Sequence, residues 1–206
     1  AQCGIRDRRW VEGARRCVRR WCDAVQDPNQ NLVVHRDSKP SNILVDEHGA
    51  PKLLDFGIAK LLEPDSLDPE SRQLTRADMR ILTPEFASPE QVRGEKVTTA
   101  TDVYALGLLL YRLLTGTMPY RFASYSPADI AQAVCDTRPD RPSSVAQHAG
   151  TETLVRDTAS SPAHWASQLR GDLDNIVLLT LRKEPEQRYA TVRQLTDDIQ
   201  RYLDQR

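Results

Sequence analysis

With 206 residues, 39% of them hydrophobic and 28% charged, the chain can bury one sizeable core and reads as a single soluble globular domain of near-neutral net charge, −1. Four cysteines (Cys3, Cys17, Cys22, Cys135) form no C-x-x-C pair, which argues against a zinc site or a disulfide framework and for reduced thiols in a cytoplasmic setting. The longest apolar stretch, Val103 to Leu114, is too short to span a bilayer and contains Arg112, and no charged-then-apolar leader opens the chain, so no membrane contact is expected of this segment.

Residues 1–22 carry Arg6, Arg8, Arg9, Arg15, Arg16, Arg19 and Arg20 against Asp7 and Glu12. Val11, Ala14, Val18, Trp21, Cys22 and Val25 recur at three and four, so an amphipathic helix with an arginine-rich solvated face is expected. Without aromatic interleaving, no nucleic-acid partner is expected of that face. Asp27-Pro28-Asn29 breaks the helix. Leu32-Val33-Val34, Ile43-Leu44-Val45 and Lys52-Leu53-Leu54 read as short strands, the last two joined by a turn at Asp46-Glu47-His48-Gly49.

Between and after these strands stand His35-Arg36-Asp37-Ser38-Lys39-Pro40-Ser41-Asn42 and Asp55-Phe56-Gly57. Phosphoryl transfer from a nucleotide needs a carboxylate to orient the attacking hydroxyl, a cation near the phosphates and oxygen ligands for Mg²⁺. Asp37, Lys39, and Asn42 with Asp55 supply these groups in that order.

Residues 58–82 are polar and proline-interrupted and read as a long loop. A third block, Thr83-Pro84-Glu85-Phe86-Ala87-Ser88-Pro89-Glu90-Gln91, follows. Thr98 to Asp102 opens a helix with several possible hydroxyl caps. The run Val103, Leu106, Leu108, Leu109, Leu110, Leu113, Leu114 is apolar on nearly every face and predicts a helix buried on all sides, stopped at Gly116 and Pro119. A short helical piece is predicted over Ala128 to Val134. Residues 136–170, rich in Pro, Ser, Thr and charge, predict an irregular, partly disordered insert. Asp172 is the expected cap of a helix carrying Leu173, Ile176, Val177 and Leu181. The spacing Thr191 to Gln194 predicts a capping box for a last helix with Val192, Leu195, Ile199, Tyr202 and Leu203 on one face.

H-R-D-x-K-x-x-N, then D-F-G, then T-P-E-F-A-S-P-E in that order resembles the eukaryotic-like serine/threonine protein kinases of bacteria, from about Val18 to Leu203. The resemblance implies a mainly α (α+β) fold, the helical C-terminal lobe of the protein-kinase fold, with a few short β-strands framing the catalytic loop. Residues 11–206 would form that lobe, with residues 1–10 an unassigned basic segment. It implies ATP and Mg²⁺ as cofactors and a protein substrate with a Ser or Thr acceptor. Asp37, Lys39 and Thr83 would be catalytic, and Lys39, Ser41, Asn42, Leu44 and Asp55 would bind the nucleotide, Leu44 beneath the adenine. Asn42 and Asp55 would hold the metal. Glu90 would pair with Arg188, and Asp102 would anchor the catalytic loop from the start of the buried helix. Arg36 beside the catalytic aspartate, with Arg76 and Arg80, marks Thr75 as a candidate activating phosphosite.

Ser38 stands where the family usually has leucine, and Ser-Pro-Glu where Ala-Pro-Glu is more frequent. His35 is preceded by 34 residues, too few for a glycine-rich loop, a strand lysine and its glutamate partner within a five-stranded lobe. A fragment that lacks its N-terminal lobe is therefore expected, active when joined to it. The competing reading is an inactive truncated lobe acting as a protein-binding module. A small-molecule phosphotransferase shares the H-x-D-x-x-x-x-N logic but should lack Lys39, Thr83 and the Ser-Pro-Glu block.

Overall fold

The structure is a computed structural model that describes residues 43–45, 51–53, 84–148 and 161–204. The N-terminal helix, the strand at Leu32-Val33-Val34, the catalytic loop and the loop over residues 58–82 lie outside the described residues. Strands β1 (Ile43–Val45) and β2 (Pro51–Leu53) pair antiparallel, Ile43 opposite Leu53 and Val45 opposite Pro51, one residue off the expected range of the second strand. The rest is helical: α1 (Pro89–Arg93), α2 (Thr99–Thr115), α3 (Pro127–Ala131), α4 (Pro142–His148), α5 (Pro162–Leu169), α6 (Asp172–Thr180) and α7 (Val192–Asp204). Short 3-10 turns lie at Pro84–Phe86 and Pro185–Gln187, and α3 runs on into a π turn, Gln132–Asp136, beyond the predicted end at Val134.

Helix α2 is the spine. Every residue in it except Thr99, Arg112 and Leu113 is buried, as its apolar run on nearly all faces requires. This helix contributes more buried hydrophobic side chains than any other element among the described residues, each fully buried aliphatic one worth about 1.5–3 kcal/mol. Its start is a reciprocal cap: Thr98 Oγ1 accepts from the Ala100 amide and Thr101 Oγ1 from the Thr98 amide. Its stop is Gly116, whose φ of 74° lies in the left-handed region that favours glycine. Midway, Gly107 lets α6 approach closely, since a Cβ there would lie 2.7 Å from Thr180 Cβ.

Two sequence expectations are corrected. The 136–170 stretch is not an irregular insert where it is described, because α4 and α5 both fall inside it. They are too short to show a helical period. Their order comes from distant partners: the buried Asp174 carboxylate on α6 accepts from Ser143 N at 2.9 Å and Ser143 Oγ at 2.6 Å, in the first turn of α4. Trp165 on α5 donates its Nε1–H to Leu114 O at 3.0 Å, filling one of the orphan carbonyls at the end of α2. Asp172 is likewise not a cap but the first residue of α6; Gly171 occupies the cap position at φ 97° and makes no side-chain bond.

The last helix follows its prediction, with Val192, Leu195, Ile199 and Tyr202 buried. Its box is shifted by one residue on one side, because Thr191 Oγ1 accepts from Gln194 N while Gln194 Oε1 accepts from Ala190 N.

Candidate functional site

The β1–β2 pairing bears on the metal site by connectivity. Asn42 immediately precedes Ile43, and Asp55 follows Leu53 by two residues, so the chain leads to both oxygen donors from the same end of one hairpin. Asp37, Lys39, Ser41, Asn42, Asp55 and Thr83 themselves lie outside the described residues, as do Arg36 and Thr75; of Leu44 the structure describes the backbone. Among the described residues no three or more His, Cys, Asp or Glu converge as a metal site.

What is described in atomic detail is the base on which the third block stands. Ser88 caps α1: its Oγ accepts from Gln91 N, and Gln91 Oε1 accepts from Ser88 N at 3.0 Å. Pro89 fits the first turn, where its missing N–H costs no hydrogen bond. The next residue, Glu90, points inward at 1% exposure and meets Arg188 across 98 residues of sequence. The contact is a two-pronged fork: Arg188 Nη1 donates to Glu90 Oε1 at 2.8 Å and Nη2 to Oε2 at 2.7 Å.

All five donors of that guanidinium are used. Nε donates to Arg182 O at 2.8 Å, the second Nη1 hydrogen to Ala100 O at 2.9 Å, and the second Nη2 hydrogen to Lys183 O at 3.0 Å. Its carbon sits 4.8 Å from the centre of the Tyr104 ring. The Glu90 carboxylate takes a third bond, at Oε1 from Thr101 Oγ1 at 2.7 Å. Burial pushes the Glu90 carboxyl up, but the Arg188 hydrogen bonds and charge outweigh it and hold the group below its ordinary value of 4.5. The pair is ionised, desolvated and fully bonded, which makes it a structural bolt between α1, the start of α2 and the turn after α6.

Two further polar groups are held in the same lobe. Asp102 is 1% exposed in the first turn of α2 and is held in polar or electrostatic interactions. Lys183 donates to Val134 O at 2.6 Å and to Tyr120 Oη at 2.9 Å, with its ammonium 4.2 Å from the Tyr120 ring centre. Burial brings its pKa down to about 8, and burial pushes Tyr120 up to about 12. Sequence reasoning found the Glu90–Arg188 pair. It missed Thr101, the three backbone acceptors and Lys183; the Thr98–Thr101 hydroxyls were visible as a cap, but the second role of Thr101 had no local signal.

A short antiparallel hairpin, a buried helical spine and an arginine bolt under a Ser-Pro-Glu turn are the architecture of the helical lobe of the protein-kinase fold. The model of the protein kinase domain matches residues 11–198, and the chain belongs to that family. It is 36% identical over 180 residues to the serine/threonine-protein kinase PknB of Mycobacterium tuberculosis, covering 87% of this chain and 24% of that protein. To PknB of Mycobacterium leprae it is 35% identical over 178 residues, with 86% and 24% covered. To the serine/threonine-protein kinase PrkC of Bacillus subtilis it is 34% identical over 181 residues, with 88% and 24% covered. The chain thus spans about a quarter of the length of the curated relatives it matches.

Proposed function

We propose that this chain is the catalytic-loop and substrate-binding half of a serine/threonine protein kinase that, with an N-terminal nucleotide-binding lobe, transfers the γ-phosphoryl group of ATP to a serine or threonine of a protein. The observation that carries the reading is the Glu90–Arg188 fork, which fixes the end of the Thr83–Gln91 block to the helical base. The motif order and the named serine/threonine kinases among its relatives support it. When bound, Mg²⁺-ATP would supply the phosphoryl group, with the metal offsetting part of its charge. Asn42 and Asp55, to which the chain leads from one end of the hairpin, would hold the metal, and Ser41 and Leu44 would bind the nucleotide, Leu44 beneath the adenine. Asp37 accepts the hydrogen bond of the acceptor hydroxyl and orients it, Lys39 places a point charge by the transferred group, and Thr83 bridges the two. The reaction is placed in the cytoplasm, where ATP is abundant. Among the described residues no helix is long and apolar enough to cross a membrane.

The test is kinetic, with the N-terminal lobe present. Asp37→Asn should reduce turnover by about 10²–10⁴-fold with little change in nucleotide affinity, because a hydroxyl-orienting group acts mainly in the transition state. Asp55→Ala should weaken metal binding instead. Equal effects of both variants on nucleotide affinity would overturn these roles.

A further inference from the structure

Glu85 lies two residues past Thr83, in the 3-10 turn Pro84–Phe86, and its Oε1 accepts a hydrogen bond at 3.1 Å from the Tyr125 hydroxyl, 40 residues away. Among the described residues it makes no ion pair. A neutral hydroxyl positions the carboxylate but leaves its charge uncompensated. Tyr125 is the exposed large aromatic of the described surface, 66% accessible, and its ring stands 5.8 Å from that of Phe122, tilted by 34°. Nearby, Asp129 is satisfied by the Ser124 and Ser126 hydroxyls, which hold its carboxyl below the ordinary 3.8 and keep it anionic. Over residues 117–129 Arg121 is the one basic side chain, so with Glu85 this surface carries one surplus negative charge.

A carboxylate hydrogen-bonded beside an exposed aromatic ring is the chemistry that receives an ammonium or guanidinium group. We propose that Glu85 and Tyr125 determine acceptor specificity by binding a lysine or arginine of the substrate polypeptide within about three residues of the phosphorylated hydroxyl, a reach set by the short chain distance from Thr83. This deepens the kinase reading and rests on it. Glu85 supplies the charge; Tyr125 fixes the carboxylate and offers its ring.

The experiment uses the protein with its N-terminal lobe and serine peptides bearing lysine, leucine or glutamate at each of the three positions on either side of the acceptor. Lysine peptides should be phosphorylated with kcat/KM about 5–10-fold above their leucine counterparts, the size expected of one partly exposed charge and ring contact. Glu85→Gln keeps an acceptor for the Tyr125 hydroxyl but removes the charge, and should bring the lysine-to-leucine ratio below about twofold; Glu85→Lys should turn the preference toward glutamate. Phosphorylation indifferent to peptide charge, or a ratio preserved in Glu85→Gln, overturns the proposal while leaving the kinase reading intact. If no peptide is phosphorylated, the kinase reading fails, and fluorescence polarisation of labelled lysine and leucine peptides on wild type and Glu85→Gln decides the specificity: a lysine preference lost in the variant supports it, and equal binding overturns it.

Discussion

Replacing Arg188 by methionine removes five donors at once and leaves the Glu90 carboxylate at 1% exposure with Thr101 as its remaining side-chain partner. An uncompensated buried charge of this kind typically costs about 3–5 kcal/mol, so the urea midpoint should fall steeply. Arg188→Lys should recover little, because a point ammonium cannot hold both carboxylate oxygens and three carbonyls at their present distances. Glu90→Gln combined with Arg188→Met should be less harmful than Arg188→Met alone; equal losses would mean the ion pair is not the source of the effect. Lys183 provides the pH dependence. Its pKa, about 8 when folded against an ordinary 10.5, means that between those values the unfolded chain holds a proton the folded one has lost, so stability rises with pH. Above about pH 10 the sign reverses, since unfolded tyrosines ionise while Tyr104 and Tyr120, both pushed up by burial, keep their protons. Melting curves from pH 8 to 10 should show wild type gaining on Lys183→Met, and parallel curves would remove Lys183 from this account. The Glu90–Arg188 pair was legible through the family resemblance, with Glu90 inside the Ser-Pro-Glu block. The three carbonyls that complete the arginine's shell were not, since every residue carries one and their convergence is purely tertiary.

At the scale of elements, the long α2 and α7 were readable because each repeats its apolar pattern over three or more turns. Helices α4 and α5, seven and eight residues long, carry too few turns for periodicity to outweigh their proline- and serine-rich composition. Their helicity is lent by contacts from α2 and α6, and this has a measurable consequence. Trp165→Phe keeps an aromatic ring but loses the indole N–H and strands Leu114 O, and Ser143→Ala removes one donor from the buried Asp174. Each should cost about 1–3 kcal/mol, the range for a buried polar group left without its partner. Hydrogen exchange should show α4 and α5 losing protection before α2 does; uniform loss across the lobe would argue that they are autonomous. Gly107→Ala tests the α2–α6 crossing. Even a methyl group would collide with Thr180, so overpacking of about 1–3 kcal/mol or more is expected, with partial relief from Thr180→Ala in the same chain, which removes the colliding Oγ1.

For the whole molecule, the sequence carried the chemistry and the structure carries its support. The roles proposed for Asp37, Lys39, Asn42 and Asp55 rest on residue type and spacing, because phosphoryl transfer asks for a carboxylate, a cation and oxygen ligands for Mg²⁺. The recognition surface beyond Thr83 was not readable in that way: Glu85 and Tyr125 are 40 residues apart, and nothing local to either announces the other.

The 98-residue separation of Glu90 and Arg188 also has a meaning in time. During synthesis at about 5–20 residues per second, roughly 5–20 seconds pass between the appearance of the carboxylate and that of the guanidinium which neutralises it. Until then Glu90 is better off in water than in the interior, so the turn that carries it stays undocked while α2 is already available to collapse. The turn that carries Glu90 is therefore expected to lock only after the chain has been made through Arg188. Nascent chains halted at Lys183 should be cut by protease near Ser88–Arg93, and chains extended through α7 should resist.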